Sequence, residues 1–422
     1  VAALREAAAQ RRGDIRAVIA RSPDIVLALR PALVASPLVV PATVPESLRV
    51  DLVVLEHAHR TRTCAAVAAL SHATQALIVG DHLRIGPQPF SYVVQEGPGT
   101  APADPATEHG SSLLDDASAI LPVRTLSTHY RAVDQRLVRP LAAVTSSPVE
   151  SFPGVWGAPP TGLRVAADPL DPVPTATAAA VDLLLRGRTT SLVILTDRPD
   201  VAAAIQQALR VAAADNPLVR AALQEHRSTG LVCVPMARWA GDIRDHLIWV
   251  RGADPQVRDA DVVTALAAAR RSLTVIGATR GHGDVSQTGV RMLHELLAAP
   301  REPAHEAMEH DHPLMQDLVS RLRAEGFTVR SNVGTGPYAV PLAIEDPARP
   351  GRQLVAIDVD LAPRTTPVGR DDVRLRPDQL ARGGWTPMRI LATNLFRDPA
   401  REVSAVVSAV RQASLEKGRE VP

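Results

Sequence analysis

Short apolar runs alternate with longer segments of helical periodicity along most of the chain. Each run holds about five apolar residues bounded by polar ones, which is typical of a buried strand. Strands that alternate with helices predict α/β domains whose mostly parallel sheets are covered on both faces. The predicted strands are residues 38–40, 51–55, 76–79, 191–196, 230–234, 246–250 and 273–277, and the predicted helices between them include residues 201–213 and 259–271.

The two ends of the chain add further elements. Residues 1–20 are rich in alanine and arginine at helical spacing, and Ser22 followed by Pro23 predicts the start of a second helix. The last hundred or so residues contain a third block of helices and strands. Its predicted elements are helix 314–325, strands 327–329, 340–344 and 354–359, and helix 400–414.

Two proline-containing stretches indicate domain boundaries, at residues 97–107 and 300–313. A chain of 422 residues is also too long for one ordinary core. We therefore expect a first domain at residues 1–110, a second at 111–300, a linker at 301–313 and a third domain at 314–422.

Composition narrows the class of protein. The hydrophobic share is 46% and the charged share is 22%, as in soluble globular proteins. No apolar run approaches the roughly 20 residues that span a bilayer, and no signal peptide opens the chain, so we expect a cytoplasmic protein without a membrane partner. Cys64 and Cys233 are far apart and lack metal-ligand spacing, which excludes a disulfide framework and a zinc ribbon. The net charge of +1 excludes a uniformly basic coat but leaves local basic grooves.

Lysine is almost absent, and this bears on nucleotide chemistry. Of the 46 Lys and Arg residues only Lys417 is a lysine, and Gly418 follows it. A Walker A phosphate loop needs a lysine followed by Ser or Thr, so this sequence contains none. Because the first residue is Val1 and not methionine, we expect a fragment or a processed product, with a phosphate loop supplied by an upstream segment or by a protein partner.

Acidic residues directly follow two of the predicted strands. Glu56 follows strand 51–55, and Gly80 and Asp81 follow strand 76–79. The carboxyl ends of parallel strands are where ligands bind in open α/β sheets, and carboxylates there hold Mg²⁺ or orient a water. The alternative is structural, since Glu56 could cap a helix or pair with Arg60.

Five motifs in order resemble those of superfamily 1 helicases, over roughly residues 20 to 300. They are "DLVVLEHAH", "ALIVGDHLRIGP", "LSTHYR", "VPMARWAGDIRDHLIWV" and "VVTALAAARRSLTVIG". The resemblance implies RecA-like sheets of the P-loop NTPase type, with ATP and Mg²⁺ as cofactors. It assigns catalytic roles to Glu56, His57, Arg131 and Arg270, with Glu56 also a metal ligand. It assigns nucleotide binding to Gly80, Asp81, Arg84, Gly241, Asp242 and Arg244.

Several positions depart from the helicase pattern where chemistry is expected. His57 replaces the glutamate that polarises water, and Arg84 replaces a phosphate-sensing glutamine. Ala240 and Ile243 replace Gln and Glu in the fifth motif, and Ala268 stands at the arginine finger, whose loss typically lowers phosphoryl transfer by about 10³ or more. Impaired ATP hydrolysis is therefore expected.

The third block resembles the restriction-endonuclease-like domain related to very-short-patch-repair nucleases. The stretches "PYAVPLAIEDPARPGRQLVAIDVDLA" and "GGWTPMRILATNLFRDP" carry this resemblance. It implies a mixed sheet in which Asp358 and Asp360 bind a divalent metal, whereas Pro341 stands where another metal-binding aspartate belongs. A proline there favours an edge strand or a bulge. Trp385, Phe396 and Arg397 are interpreted as packing residues.

Two function classes follow from these resemblances. The first is the C-terminal portion of an ATP-dependent helicase that acts on DNA or RNA, with impaired ATP hydrolysis and nuclease chemistry. The second is a non-catalytic scaffold that binds nucleic acid or protein. Exposed arginines attract phosphate backbones, although most arginines in so arginine-rich a chain are simply solvated. The candidates for a nucleic-acid groove are Arg131, Arg136, Arg139, Arg270 and Arg271.

Overall fold

The computed structural model divides into two compact units, Val1–Arg124 and Thr125–Pro422. The first unit ends beyond the predicted boundary at residue 110, and the second contains both later blocks of the sequence. The structure describes residues 14–88, 111–146, 149–156, 161–164, 171–187, 191–225, 229–239, 241–251, 257–277, 288–297, 312–361 and 374–419. The predicted loop 97–107 lies outside these residues, as do most of the predicted linker and residues 1–13 of the first predicted helix.

The first unit is built around a pair of parallel strands. Backbone pairing runs from Val50 with Ala73 to Leu55 with Ile78. One face packs against a small core that includes Leu55, Ala66 and Leu113. Its elements are α1 (Ile15–Arg21), α2 (Pro23–Leu29), α3 (Val40–Thr43), β1 (Val50–Leu55), a 3-10 turn (Ala58–Arg60), α4 (Thr63–Leu70), β2 (Ala73–Ile78) and α5 (Leu113–Ser118).

The other face of this strand pair is apolar and exposed. Val54 pairs with Leu77, so these two side chains share a face with Leu52, two residues before Val54. All three side chains are about half exposed. Parallel strands normally occur with both faces covered, so this surface is unusual for a parallel sheet.

The second unit begins with a five-stranded parallel sheet in the order β5, β9, β8, β6, β7. This confirms the predicted parallel α/β block. The elements up to this sheet's last helix are β3 (Thr128–His129), β4 (Glu150–Ser151), β5 (Thr161–Arg164), α6 (Val173–Gly187), β6 (Leu192–Thr196), α7 (Pro199–Asp215), α8 (Pro217–Gln224), β7 (Val232–Pro235), β8 (Arg244–Val250), α9 (Asp259–Ala268), β9 (Ala269–Ile276) and α10 (Thr288–Leu297). Short 3-10 turns lie at Gln135–Leu137, Arg139–Ala143 and Met236–Arg238.

Helices cover both faces of this sheet. Helices α6, α7 and α8 pack on one face, where Ile194 and Ile248 are fully buried. Helix α9 packs on β8 and β9 from the other side. All five residues of β6 are buried, which explains why a continuous apolar run and not an alternating pattern encodes it.

The chain continues into a four-stranded sheet in the order β10, β11, β12, β13. The first two pairs are antiparallel, and β12 and β13 are parallel. Helices α11 and α14 cover one face, where Leu318, Ile357 and Val406 are fully buried. The elements are α11 (Pro313–Ala324), β10 (Val329–Val333), β11 (Val340–Glu345), β12 (Gln353–Val359), α12 (Arg376–Arg382), β13 (Thr386–Ile390), α13 (Ala392–Arg397) and α14 (Pro399–Arg419).

The opposite face of the four-stranded sheet is covered by residues 149–156, which precede it by almost two hundred positions in sequence. Phe152 and Val155 share a buried cluster with Ala343, Ala356 and Trp385. The Phe152 ring stacks on the Tyr338 ring with centroids 4.3 Å apart. The Trp385 indole donates from Nε1 to the Pro153 carbonyl at 2.9 Å, and the Gln353 amide donates to the Val155 carbonyl at 2.6 Å. The 149–156 segment is therefore part of this sheet's core.

Three predictions from the sequence differ from the structure. Residues 38–40 were predicted as a strand, but Val40 begins helix α3, and Pro41 occupies its first turn, where a proline fits. The predicted helix 259–271 ends at Ala268, and β9 starts at Ala269 with no intervening turn. Pro341 lies in β11, which is a central strand and not an edge.

The residue opposite Pro341 explains how a central strand accepts it. Val340 pairs with Val333 and Leu342 pairs with Ser331, so Asn332 faces Pro341. Asn332 has a left-handed φ of 52°. Because proline has no N–H to donate, Pro341 itself contributes no ladder hydrogen bond from its nitrogen.

No helix in the described part of the chain is long and apolar enough to cross a membrane.

The 149–156 segment yields a stability prediction. Phe152→Ala should lower the free energy of unfolding of the second unit by about 3 kcal/mol, because it removes a buried ring from a packed core. Phe396→Ala is the matched control, since Phe396 is 76% exposed, and it should change the free energy by less than about 0.5 kcal/mol. Urea denaturation, monitored by tryptophan fluorescence, measures the free energy of unfolding of both variants. Equal losses in the two variants would show that the segment does not belong to the core.

Candidate functional site

The loops that follow β1 and β2 meet at one edge of the first unit, as the sequence predicted. The Ala58 amide donates to the Val79 carbonyl at 3.0 Å. The Asp81 amide donates to Nδ1 of His59 at 3.2 Å. Glu56 is exposed directly after β1, and Asp81 is half-buried after β2. The Asp81 carboxylate accepts from the Leu83 amide at 3.0 Å, so it stabilises its own turn.

His59 is the most buried polar group at this edge, with 3% of its surface exposed. Because Nδ1 accepts from the Asp81 amide, the neutral ring carries its proton on Nε2. Nε2 has no hydrogen-bond partner among the described residues. Burial, with smaller contributions from Arg84, His57 and Arg60, lowers the pKa of His59 to about 4. The imidazole is therefore neutral at pH 7.

Gly80, Arg84 and His57 complete the edge. A Cβ on Gly80 would lie 2.8 Å from Leu114 and 3.1 Å from the His59 amide nitrogen, so the close approach of the two loops requires glycine. Arg84 is buried, with 6% of its surface exposed. His57 has a left-handed φ of 54°, and its ring contacts the His59 ring edge-on with centroids 5.9 Å apart.

These groups fit an Mg²⁺-nucleotide site only in part. Glu56 and Asp81 supply carboxylates at one edge, but the sequence contains no phosphate-loop lysine. The nucleotide-binding roles of Gly80, Asp81 and Arg84, and the catalytic roles of Glu56 and His57, stay predictions.

Arg131 and Arg270 belong to the second unit, Arg270 in β9 and Arg131 shortly after β3. The Val133 amide donates to the Arg270 carbonyl at 2.9 Å, which brings the chain after β3 alongside this strand. Arg270 and Arg271 approach opposite oxygens of the Asp245 carboxylate at 3.5 Å and 3.6 Å. Arg131 is exposed. Since Asp245 partly neutralises the two strand arginines, Arg131 is the most available cation of this group.

Gly241, Asp242 and Arg244 lead into β8, and the Arg244 side chain is buried. Its guanidinium lies 5.3 Å from the centre of the Trp239 ring and donates to the Ile243 carbonyl at 3.0 Å. Burial lowers the pKa of Arg244 from its ordinary value. Gly241 has a φ of 102°, which favours glycine. Arg244 is thus held by packing, and the nucleotide-binding role of these residues is untested. Ala240 lies outside the described residues.

Arg136 does not line an open groove, in contrast to the hypothesis from the sequence. Its guanidinium donates to both oxygens of Asp134, with the shortest contact at 2.6 Å, and both side chains are 7% exposed. It also donates to the Trp156 carbonyl at 2.7 Å. This buried pair fixes the 149–156 segment, so Arg136 is structural.

The candidate nuclease site lies at the carboxyl end of β12. Asp358 follows Ala356 by two residues, so both lie on the face that the 149–156 segment covers. Nη1 of Arg376 lies 3.4 Å from Oδ2 of Asp358, and its Nη2 donates to the Ala339 carbonyl at 2.6 Å. Arg376 is 3% exposed. A buried guanidinium therefore occupies the position beside the carboxylate that a cation would take.

Asp360 and Pro341 complete this site. Oδ1 of Asp360 accepts from the Ala392 amide at 2.5 Å, so this carboxylate binds the start of α13. Continuing the β11–β12 register from Leu342 and Ile357 places Pro341 opposite Asp358. A carboxylate at position 341 would lie beside Asp358, and the proline cannot supply one.

The residues present do not fit a divalent metal. One carboxylate is paired with Arg376, the second is engaged by a helix amide, and the third position is proline. Among the described residues, no group of three His, Cys, Asp or Glu side chains could hold a metal ion. These contacts do not favour the metal-ligand assignment of Asp358 and Asp360, which stays a prediction, as does that of Glu56.

Sequence reasoning missed His59 and Arg376. His59 was visible in the first motif but was given no role there, and its burial depends on how the loops after β1 and β2 pack. Arg376 lies in "VRLRPDQL" as the first residue of helix α12, and only the fold brings it to Asp358. Phe396 was interpreted as a packing residue, which is wrong, because its side chain is largely exposed. Trp385 is 2% exposed and does pack.

Comparison with known proteins identifies one part of the chain. Residues 315–410 match the family model REase_MTES_1575. The C-terminal domain is restriction-endonuclease-like. No curated protein sequence matches the chain. A solved structure titled "The structure of PRRSV helicase" is similar at a TM-score of 0.30 and 13% identity, over 54% of this chain and 35% of that chain. The chain thus spans about a third of that protein, and the RecA-like assignment of the earlier blocks stays a prediction.

The depressed pKa of His59 gives a pH prediction for the first unit. An unfolded chain binds a proton at His59 near pH 6.5, whereas the folded chain does so only near pH 4. The stabilisation is therefore complete above about pH 6.5 and is lost as the pH falls towards 4, at up to about 1.4 kcal/mol for each pKa unit. His59→Asn keeps an acceptor for the Asp81 amide and should flatten the dependence of stability on pH over this range. Urea denaturation at pH 7.5 and pH 5 measures the free energy of unfolding of the unmodified chain and of the His59→Asn variant. An equal change with pH in the two proteins would contradict the burial argument.

Proposed function

We propose that this chain is a nucleic-acid-binding protein that carries helicase-like and nuclease-like folds and binds nucleic acid without cleaving it. DNA and RNA are both compatible with the surface described above. The proposal unites the two function classes from the sequence in one protein, in which the folds persist and the metal chemistry is lost.

The buried pair of Arg376 and Asp358 is the observation that carries this proposal. A divalent metal would have to displace a guanidinium that also donates to the Ala339 carbonyl and is almost completely buried. Removing that guanidinium would leave its partners unpaired, which typically destabilises a protein by several kcal/mol. Metal-dependent phosphodiester hydrolysis requires an ion that positions the water and stabilises the leaving oxygen. This site offers no such position.

Nucleic-acid binding is supported by the type of domain and by exposed arginines. The restriction-endonuclease-like domain is a fold associated with nucleic acid, and Arg131 and Arg389 are exposed on the second unit. Neither arginine forms an ion pair within the described part of the chain. Exposed, unpaired guanidinium groups are the side chains that phosphate backbones attract.

We expect no cleavage of DNA by this chain with Mg²⁺ or Mn²⁺, and we expect DNA binding to be the same in metal and in EDTA. Nicking of supercoiled plasmid and a filter-binding titration measure the two properties. Asp358→Asn is the matched control, because it removes the carboxylate that lies 3.4 Å from Arg376 with little change in shape. Cleavage that requires metal and disappears in the Asp358→Asn variant would show an active nuclease and overturn the proposal.

A second candidate function is ATP-dependent chemistry at the edge of the first unit. It is favoured by one observation, the meeting of the loops after β1 and β2 that carry Glu56 and Asp81. ATP and Mg²⁺ would bind there through these carboxylates, with the phosphate loop supplied by another segment or chain.

For this second candidate we expect no ATP hydrolysis above background by the chain alone, because the sequence has no phosphate-loop lysine and has His57 where a glutamate belongs. A coupled assay in the presence of single-stranded DNA measures hydrolysis, with Glu56→Gln as the control. Turnover that the Glu56→Gln substitution abolishes would instead establish a working helicase-type site.

A protein partner is a third proposal, and it concerns the first unit alone. The apolar face formed by Leu52, Val54 and Leu77 is of the kind that another chain or segment covers. The same partner could supply the phosphate loop that this sequence lacks.

A further inference from the structure

We propose that the exposed face of the β1–β2 pair binds one amphipathic helix of a partner protein, which lies antiparallel to the strands with its N-terminus beside Glu56. The inference rests on the protein partner proposed above for the first unit and names the element that this partner supplies. The surface concerned, called here the outer face, consists of Leu52, Val54, Leu77 and Val79.

Strand alternation assigns these side chains to one side of the sheet. Val53 and Leu55 on β1 and Ile78 on β2 pack into the covered core. The residues next to them in sequence therefore project from the opposite side and form the outer face. Their exposed fractions lie between 42% and 51%. The backbone pairing of Val54 with Leu77 brings the two strands' contributions together, so the outer face is a continuous apolar strip.

The dimensions of the outer face match one helix. Neighbouring strands lie about 4.8 Å apart, so a helix of about 10 Å diameter covers both. Leu52 pairs with Gln75, and the distance along the strand from Gln75 to Val79 is about 13 Å at 3.3 Å per residue. About nine helical residues cover that length.

The area of the outer face argues against a second copy of this chain as the occupant. Four half-exposed aliphatic side chains offer on the order of a few hundred Å². A standard protein–protein interface buries about 800 Å² on each partner. The same strip placed against its own copy is too small for a stable dimer, whereas a single helix of a partner that also contacts other surfaces needs no more.

The charge at one end of the outer face sets the direction of the helix. Helix α4 joins β1 to β2, so it runs antiparallel to both strands on the covered face. A helix that packs in the same way on the outer face has its N-terminus at the carboxyl ends of the strands, where Glu56 is exposed. Helix N-termini carry partial positive charge and unpaired N–H groups, which a carboxylate stabilises. Glu56 pairs with no cation among the described residues, so its charge complements that helix end.

The polar residue at the other end adds to the chemistry of the partner. Gln75 is exposed and is the direct strand partner of Leu52, so its amide lies on the same side as the outer face. The partner helix therefore carries aliphatic residues at i, i+3, i+4 and i+7 for the strip, and a polar residue near its C-terminus for Gln75. This is the pattern of helices that bind apolar surfaces of other proteins.

The test is fluorescence anisotropy with a model peptide of about 14 residues, made of Leu, Glu, Lys and Gln and labelled at its C-terminus. In the stripe peptide the leucines recur at i, i+3, i+4 and i+7, and in the scrambled peptide of equal composition they do not share a face. The full chain is compared with Val54→Asp, Glu56→Gln and Val34→Asp. Val34 is the matched control, because it is a valine of the same unit that is 98% exposed and lies outside the outer face. Thermal denaturation checks that each variant is folded.

We expect the chain to bind the stripe peptide and not the scrambled one. Val54→Asp should weaken binding about tenfold or more, because it places a carboxylate against the leucines. Val34→Asp should leave binding unchanged. A stripe peptide with a free, charged N-terminus should bind about threefold more tightly than its acetylated form, and Glu56→Gln should abolish that difference.

Other outcomes overturn the inference in distinguishable ways. Equal binding of the stripe and scrambled peptides, or equal effects of Val54→Asp and Val34→Asp, would reject the outer face as a helix-binding surface. A preference for the acetylated peptide would reject the proposed direction of the helix. Dimerisation in sedimentation that Val54→Asp abolishes would assign the outer face to a second copy of this chain.

Filter binding of DNA by the same proteins separates this inference from the proposed function. If the chain binds DNA but not the stripe peptide, the helix-binding surface alone is rejected. If it binds the stripe peptide but not DNA, the proposed nucleic-acid binding alone is rejected.

Discussion

The packing of the 149–156 segment on the four-stranded sheet is the contact on which the architecture of the second unit depends. Without Phe152 and Val155, one face of that sheet would expose Ala343, Ala356 and Trp385 to water. The segment is fixed in turn by the buried pair of Asp134 and Arg136, whose guanidinium reaches the Trp156 carbonyl. Because the Val133 amide pairs with the Arg270 carbonyl on β9, one short stretch of chain links both sheets.

This linkage also concentrates the few aromatic residues of the protein. The sequence has only four Trp, three Tyr and four Phe residues. Several of them meet where the segment contacts the sheet, since Phe152 stacks on Tyr338, lies 6.0 Å from the Tyr130 ring and adjoins Trp385. Large rings bury more surface per residue than aliphatic side chains. Phe152, Tyr338 and Trp385 therefore meet where two parts of the second unit join, whereas Trp249 is buried within the five-stranded sheet.

The sequence predicted much of the fold and less of the site. Uninterrupted runs such as residues 192–196 identify buried parallel strands because both faces are covered. The positions of Glu56 and Asp81 directly after two predicted strands also agree with the meeting of their loops in the structure. The run at residues 38–40 was misread as a strand because Pro41 also suits the first turn of a helix. The helix predicted to reach Arg271 failed because β9 begins without a turn residue, so periodicity alone could not mark the change.

The site was harder to predict because its decisive pairs are formed by residues distant in sequence. Nothing near Arg376 identifies its carboxylate partner, and the register of β12 with β13 is needed to place Arg389 beside Asp358. The local sequence pattern identifies a side chain that is able to bind a ligand. Only the fold shows which neighbouring group already pairs with that side chain. The metal-ligand interpretation of Asp358 followed from the sequence, whereas the structure pairs this carboxylate with Arg376.

The distance along the chain between the 149–156 segment and its sheet has a consequence for synthesis. The hydrogen bond between Pro153 and Trp385 spans 232 positions in sequence. During translation, Phe152 and Val155 leave the ribosome long before the strands that bury them exist. Contacts of such long range form late and slowly, and apolar groups that wait for them are prone to aggregation. The nascent chain must therefore keep this apolar segment from other partners until its last hundred or so residues have been made.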